Sequence, residues 1–235
     1  MRDNGNDPGA DRLHELLCKG PWYRSLPPDL QQRILAASRA RDFAKGEVIA
    51  LEGASQAGMS AVLSGEVKLV RQARQGEESL LFICEPGFWF GENAVLTGEK
   101  TMVSAIAKTR TRLLVLPKRE FDRIVQEQPQ YYRHFAALGL ARAATFLTAF
   151  THASSLQPEA RLRGQLALLS LLKRTEVEID TPVDLPYSQS ELASIVGVSR
   201  QTINQLLHTL AEKGLIQMGF KRVRVLGPQE LLASL

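Results

Sequence analysis

Between about Arg41 and Pro117 the apolar residues come in short runs cut by Gly46, Gly53, Gly58, Gly65, Gly76, Gly87, Gly91 and Gly98. "AVLSGEVKLV" and "SLLFICEPGFWF" are the clearest strands, and "TRTRLLVL" closes the series before Pro117. Short strands at this spacing predict an antiparallel sandwich or barrel. After Pro117 the apolar period lengthens to that of a helix: "KREFDRIVQEQ" is a short one, Pro129 interrupts, and residues 130–151 form a long one. Ahead of the strands, "LPPDLQQRILAAS" places Pro28 in the first turn of a helix with Leu30, Ile34 and Leu35 on one face. The opening "MRDNGNDPGAD" is polar and is expected to be loose.

Along the long helix Tyr132, Ala136, Gly139, Ala143, Phe146 and Phe150 recur at steps of four and three, a narrow seam with small residues at its middle. Phe135 and Leu138 point elsewhere, so two faces need covering. We expect one face on the sheet and the other on a second copy, which makes Tyr132, Ala136, Gly139, Ala143 and Phe146 candidate dimer residues. "THASSLQPEA" reads as a hinge, "ARLRGQLALLSLL" as an amphipathic helix, Glu176 to Pro186 as an extended acidic connection, and "GLIQMGFKRVRVL" as a hairpin of two strands around Gly219.

Residues 188–210, "SQSELASIVGVSRQTINQLLHTL", carry the most specific pattern. Ser188 followed three residues later by Glu191 is a capping box, which satisfies two backbone amides at a helix start. Leu192, Ile195 and Val196 bury that helix, and "GVS" supplies a tight turn in which Gly197 takes a backbone conformation costly for other residues. Ser199 caps the second helix, whose core face is Ile203, Leu206, Leu207 and Leu210. That leaves Arg200, Gln201, Asn204 and Gln205 outward near its first turns. An arginine matches guanine O6 and N7, and carboxamides match adenine. Lys221, Arg222 and Arg224 follow on the hairpin, where a wing meets the DNA backbone. The candidate DNA contacts are Ser188, Ser199, Arg200, Gln201, Thr202, Asn204, Gln205, Lys221 and Arg222.

Charge sharpens this reading only once it is located. The net charge is +4 over 235 residues, with 44% hydrophobic residues, enough for a real core and one large or two ordinary domains. Residues 176–191 hold five acids and no base, whereas 197–227 hold Arg200, Lys213, Lys221, Arg222 and Arg224 against Glu212 alone. The second stretch is the electrostatic footprint expected for phosphate contacts. Cys18 and Cys84 stand far apart with no metal-ligand spacing, so no metal or iron–sulfur cluster is expected. His14, His134 and His152 could each serve as a haem ligand, but lone histidines are read as structural. No apolar run reaches the ~20 residues that span a bilayer, and the first residues, with Asp3, Asp7 and Asp11, do not resemble a signal peptide. A soluble cytoplasmic protein is expected. No Ser/His/Asp set, paired catalytic carboxylates or phosphate loop suggests an enzyme.

With "FAKGEVIALEG", "VLSGEVKLV", "FGEN" and "SELASIVGVSRQTINQLLHTLAEKGLI" in this order, nearly the whole chain resembles the bacterial cyclic-AMP receptor protein and fumarate-nitrate regulator (Crp–Fnr) family. The resemblance implies an α+β chain with three parts. Residues 1–129 would be N-terminal helices and a β-roll effector domain like a cyclic-nucleotide-binding jelly roll, 130–153 a dimerisation helix, and 154–235 a winged helix-turn-helix. It implies a homodimeric transcription regulator whose partners are double-stranded DNA at a palindromic operator and a small-molecule or nucleotide effector, with RNA polymerase a further candidate.

The family's cyclic-AMP binders begin a phosphate-binding cassette with a Gly-Glu pair, matched here by Gly91 and Glu92 and followed by Asn93 and Ala94. Some ten residues on they place an arginine on the cyclic phosphate, where this chain has "KTMVSA", with Met102 or Val103 in that place. The pair that touches adenine falls on Phe146 and Leu147, and the cysteine set of the oxygen sensors is absent, since Cys18 stands alone in the N-terminal stretch. Cyclic AMP is therefore not the expected effector, and the cofactor stays unknown. A different ligand in the same roll, a larger cyclic dinucleotide between domains, and a dimer set for DNA without any effector stay open. So does a ligand-binding regulatory module that does not bind DNA.

Overall fold

The computed structural model describes residues 8–55, 57–72, 78–153, 157–173 and 181–233. Residues 154–156 of the expected hinge, 176–180 of the acidic connection with 174–175 before it, and the first seven of the opening stretch lie outside the described residues. The chain divides into two compact units, Met1–Gln72 with Ile83–Gly139, and Ala73–Phe82 with Leu140–Leu235.

The first unit begins with helices α1 (Pro8–Leu17), α2 (Pro21–Arg24) and α3 (Pro28–Ala37). The strands are β1 (Arg39–Phe43), β2 (Val48–Ala50), β3 (Gly58–Ser64), β4 (Val67–Gln72), β5 (Glu78–Cys84), β6 (Trp89–Phe90), β7 (Ser104–Ala107) and β8 (Thr111–Pro117), with α4 (Glu92–Thr97) between β6 and β7. They form two four-stranded sheets, ordered β1-β8-β3-β6 and β2-β7-β4-β5. The ladders on β8, β3 and β7 are antiparallel, as the glycine-cut pattern predicts. Helix α5 (Lys118–Glu127) and the 3-10 turn Pro129–Tyr131 lead into α6 (Tyr132–Ala153), so the long helix starts two residues later than the pattern suggests.

Helices and sheet share one core. Leu17, Tyr23, Leu30 and Ile34 meet Met59, Ala61, Leu114 and Leu116, closed by Phe121 and Ile124 of α5 and by Phe135 and Leu138 of α6. Trp22 packs edge-on against Trp89 at 5.4 Å and donates its indole N–H to the His134 carbonyl at 2.7 Å. The stretch expected to be loose is therefore helical from Pro8 onward. Leu13 and Leu17 bury against the core, which stabilises a helix that the polar opening conceals.

Gly65, between β3 and β4, holds φ at +80°, and a Cβ there would sit 2.2 Å from the Arg110 carbonyl oxygen. Left-handed backbone costs an L-residue ~1–2 kcal/mol, and the contact with backbone adds to it. Gly65→Ala is expected to destabilise the roll by about 2 kcal/mol or more, read as a lower urea midpoint. A midpoint equal to wild type would overturn this account of the turn.

The second unit takes in β5 as far as Phe82 and α6 from Leu140 onward, and holds α7 (Pro158–Lys173), β9 (Val183–Leu185), α8 (Gln189–Val196), α9 (Arg200–Glu212), β10 (Ile216–Gly219), β11 (Arg222–Val225) and α10 (Pro228–Ala233). Two expectations change here. Helix α7 is buried over more of its circumference than an amphipathic pattern suggests: Leu162, Arg163, Leu166, Ala167, Leu169 and Ser170 are all buried against α8, α10 and the sheet, and Arg161, Gln165 and Leu171 are left on the outer side. Arg163 reaches the Glu230 carbonyl at 3.1 Å, so a charge inside the helix is held by a helix end that the sequence pattern does not announce. The hairpin is also part of a three-stranded sheet, β10-β11-β9, whose third strand comes from the end of the acidic connection. Val183 and Leu185 are buried and Asp184 is exposed, an alternation too short to recognise by pattern. Among the described residues no helix is long and apolar enough to cross a membrane.

Candidate nucleic-acid interface and effector site

Helices α8 and α9 are set by their ends. The Ser188 hydroxyl accepts from the Glu191 amide at 3.3 Å, and the Glu191 carboxylate accepts from the Ser188 amide at 2.7 Å, closing the capping box. Gly197 takes φ +71° and Val198 donates its N–H to Ala193 at 3.0 Å, which turns the chain within three residues. Ser199 then accepts from the Thr202 amide at 3.0 Å and opens α9. Leu192, Ala193 and Val196 on α8 and Ile203, Leu207 and Leu210 on α9 are buried. Arg161 of α7 donates to the Val196 carbonyl at 3.2 Å, a cation placed on the negative end of α8.

The outward side of α9 is cationic and amide-rich at its start. Arg200, Gln201 and Gln205 are exposed, and the first turn carries no acid that would repel phosphate. His208 is exposed one turn beyond Gln205 and extends that surface, a position that a search for arginines and amides at the helix tip passes over. Asn204 has a second engagement within the unit. It is half-buried, and its Oδ1 accepts from Gln189 Nε2 at 2.8 Å, locking α9 to α8. That bond leaves the Asn204 amide NH₂ and the second lone pair of its oxygen for a base edge. Thr202 is half-buried with its hydroxyl 2.8 Å from that of Ser199, and the Ser188 hydroxyl lies 2.7 Å from Glu191. These three hydroxyls hold helix ends. Lys213, counted by charge into the basic stretch, is paired with Glu159 at 2.6 Å. Lys221, Arg222 and Arg224 are exposed on the hairpin.

On the β-roll, Gly91 takes φ +90° and begins α4. Glu92 is buried in its first turn, Asn93 is exposed and Ala94 is buried. Asn93 Nδ2 stands 3.6 Å from the Met102 sulfur, so Met102 lies over this helix start, 61% exposed, with Val103 half-buried beside it. One cation does stand beside the start of β7. Arg71 follows Val70, which pairs with Ser104, but its guanidinium is 3.2 Å from the Glu52 carboxylate. Glu52 is in turn anchored by its own amide on Ser104 Oγ at 2.9 Å. Arg110 and Arg112 are exposed on the far turn and strand, with Arg112 3.9 Å from Asp42.

On α6, Phe135 and Leu138 enter the core, Tyr132 is 44% exposed with its hydroxyl donating to Leu96 at 3.0 Å, and Ala136 is half-buried. A Cβ on Gly139 would meet only Leu96 Cδ1, at 4.0 Å. Further along, Ala143 is exposed, and Leu140 and Leu147, seven residues apart and so on one stripe, are 71% and 68% exposed. The side chain of Phe146 lies outside the described residues. The seam drawn through aromatic positions misses this leucine pair, which is the described apolar surface of the helix.

Residues 40–128 match the family model of the cyclic nucleotide-binding domain, and residues 161–234 match that of the Crp-like helix-turn-helix domain. A cyclic AMP receptor protein from Thermus thermophilus is 31% identical over 205 residues, covering 87% of this chain and 92% of the relative. A CRP-like cAMP-activated global transcriptional regulator from Mycobacterium tuberculosis is 23% identical over 93% of this chain and 98% of its own length. Among solved structures, a transcriptional regulator of the CRP/FNR family from Thermus thermophilus superposes with a TM-score of 0.52 at 27% identity, covering 83% of this chain and 97% of the other. Both domain models match in the order in which the roll and the winged unit occur, and a relative at that identity aligns along almost its whole length. The chain therefore belongs to the Crp–Fnr family of DNA-binding transcriptional regulators.

Proposed function

We propose that the protein is a homodimer that sets two copies of α9 on the half-sites of a palindromic operator, under the control of an effector other than cyclic AMP. Residues 1–129 would sense, 130–153 dimerise and 154–235 bind DNA. The observation that carries the reading is α9 itself: one side is buried and capped, the other presents Arg200, Gln201 and Gln205 at a helix start free of acids. Side chains at such a helix start reach base edges in the major groove. Lys221 and Arg222 then meet phosphates, while Ser188, Ser199, Thr202 and Asn204 fix the geometry. An electrophoretic mobility shift on fragments of the source genome tests it. Selective retention of a subset carrying an inverted repeat supports the reading, and uniform weak retention of all fragments overturns it.

For the dimer, the support is the pair Leu140 and Leu147, whose exposure leaves a strip of apolar surface on α6. Tyr132, Ala136, Gly139 and Ala143 lie along the same helix, and Gly139 leaves room for close backbone approach. Phe146 is proposed as part of that contact from its sequence position.

The case against cyclic AMP rests on charge. A cyclic phosphate at Gly91, Glu92, Asn93 and Ala94 needs a cation, and Met102 and Val103 offer no donor. Arg71 is drawn to Glu52, and Arg110 and Arg112 lie on the surface. Removing one partner of a buried charge pair costs ~3–5 kcal/mol, on the order of 10²- to 10³-fold or more in affinity. Calorimetric titration is expected to show no low-micromolar binding of cyclic AMP. A low-micromolar site, or an operator affinity that rises on adding the nucleotide, overturns this part.

A further inference from the structure

The hairpin of the winged unit ends in an unusual tip. Gly219 and Arg222 form the last pair of the β10–β11 ladder, leaving Phe220 and Lys221 as a two-residue loop. Such loops need left-handed backbone, which Gly, Asn or Asp supply cheaply. Here Lys221 takes φ +54°, the one non-glycine residue with positive φ among the described residues. A residue held in a sparsely populated conformation is a pointer to function when its side chain, and not its backbone, suits the position.

Beside it Phe220 is 89% exposed, more than any other large hydrophobic residue described, with the Lys221 ammonium 5.3 Å from the ring centre. Along β11 the pattern alternates, so Val223 and Val225 are buried while Arg222 and Arg224 face out. Asp184 on β9 stands opposite Arg224 at the base of the sheet. Between Gly219 and Arg222 at the tip there is no acid. The result is a single apolar ring held out among uncompensated cations.

That chemistry fits a polyanion with an apolar recess: the sugar-lined minor groove of duplex DNA, into whose base steps apolar side chains wedge while cations hold the flanking phosphates. It fits a lipid surface less well, because one ring gives little area to bury and the same unit already turns Arg200, Gln201 and Gln205 outward on α9. Resting on the DNA-binding reading above, we propose that Phe220 is a minor-groove contact, set into the groove beside each half-site, with Lys221 and Arg222 on the adjoining phosphates.

The test compares four variants of the full-length protein on the retained operator fragment over a range of salt. Phe220→Ala is expected to weaken binding about tenfold or more with an unchanged slope against salt, because an apolar contact releases no counterions. Lys221→Gly relieves the backbone and removes the charge. It is expected to keep or raise the melting temperature while lowering the salt slope by about one ion per contact made. Phe220→Trp is expected to retain affinity, and its emission, relative to the wild-type background of Trp22 and Trp89, to quench on adding operator. Wild-type affinity in Phe220→Ala, while Arg200→Ala loses binding, overturns the wedge and leaves the recognition helix standing. Loss of binding in neither variant overturns the DNA contacts of both. An emission change on anionic phosphatidylserine vesicles and none on operator makes the tip a membrane contact and also overturns the proposal.

Discussion

Arg200→Ala is expected to weaken operator binding by about 10²-fold or more, the sum over a symmetric dimer of ~1–3 kcal/mol for each bidentate guanine contact. The side chain is exposed at the first residue of α9, and the cap is made by Ser199 and Thr202. The fold therefore has no stake in Arg200, and the melting temperature is expected to stay at the wild-type value. The loss should be confined to fragments with the cognate base, since a lysine or arginine on phosphate weakens all sequences alike. The family resemblance implies that Gln201 and Gln205 stand where the cyclic-AMP receptors carry a Glu and an Arg, so the preferred half-site is expected to differ from theirs. Fluorescence anisotropy on operator and scrambled duplexes measures both effects. Operator affinity equal to wild type would sink the assignment of Arg200.

Leu140→Glu with Leu147→Glu is expected to convert the protein to monomer and to lower operator affinity by about 10²- to 10⁴-fold, the avidity lost when two linked sites act alone. Both side chains are more than two-thirds exposed, so the substitutions cost the isolated protomer little, and the cost falls on the contact that would bury two unpaired charges. Gly139→Leu probes the same helix by overpacking. A Cβ at Gly139 would stand in ordinary contact with Leu96 Cδ1 at 4.0 Å, so the melting temperature of Gly139→Leu, read beside its sedimentation, separates a clash inside the protomer from one outside it. Sedimentation velocity at micromolar concentration reads the outcome. A wild-type monomer, or a double variant that sediments as the wild-type dimer, overturns the placement of this contact.

The helix-turn-helix was legible because its determinants are local. Ser188, Glu191, Gly197 and Ser199 act within four residues of themselves, and the spacing of Ile203, Leu207 and Leu210 states which side is buried. The β-roll was legible for a similar reason: turns such as that at Gly65 need a backbone that only glycine adopts freely. By contrast, nothing local marks Asn204 as a residue that bridges α9 to α8. Its role depends on Gln189, fifteen residues away, meeting it across the turn.

From the residues alone, then, follow the glycine-cut run of short strands, the long helix, the capped helix pair with its hairpin, the exposed Arg200, Gln201 and Gln205, and the absence of an arginine at Met102 and Val103. Periodicity, caps and left-handed turns are encoded within a few residues. Tertiary structure decided what depends on remote neighbours. Helix α7 is buried over most of its middle because α8, α10 and a third strand pack on it, and α1 packs because Leu17 finds the roll core. Arg71 and Lys213 are drawn to Glu52 and Glu159, and Leu140, Leu147 and Phe220 are left uncovered. Burial and charge pairing are properties of what lies across a contact, and one stretch of chain does not name its neighbour until the fold brings the two together.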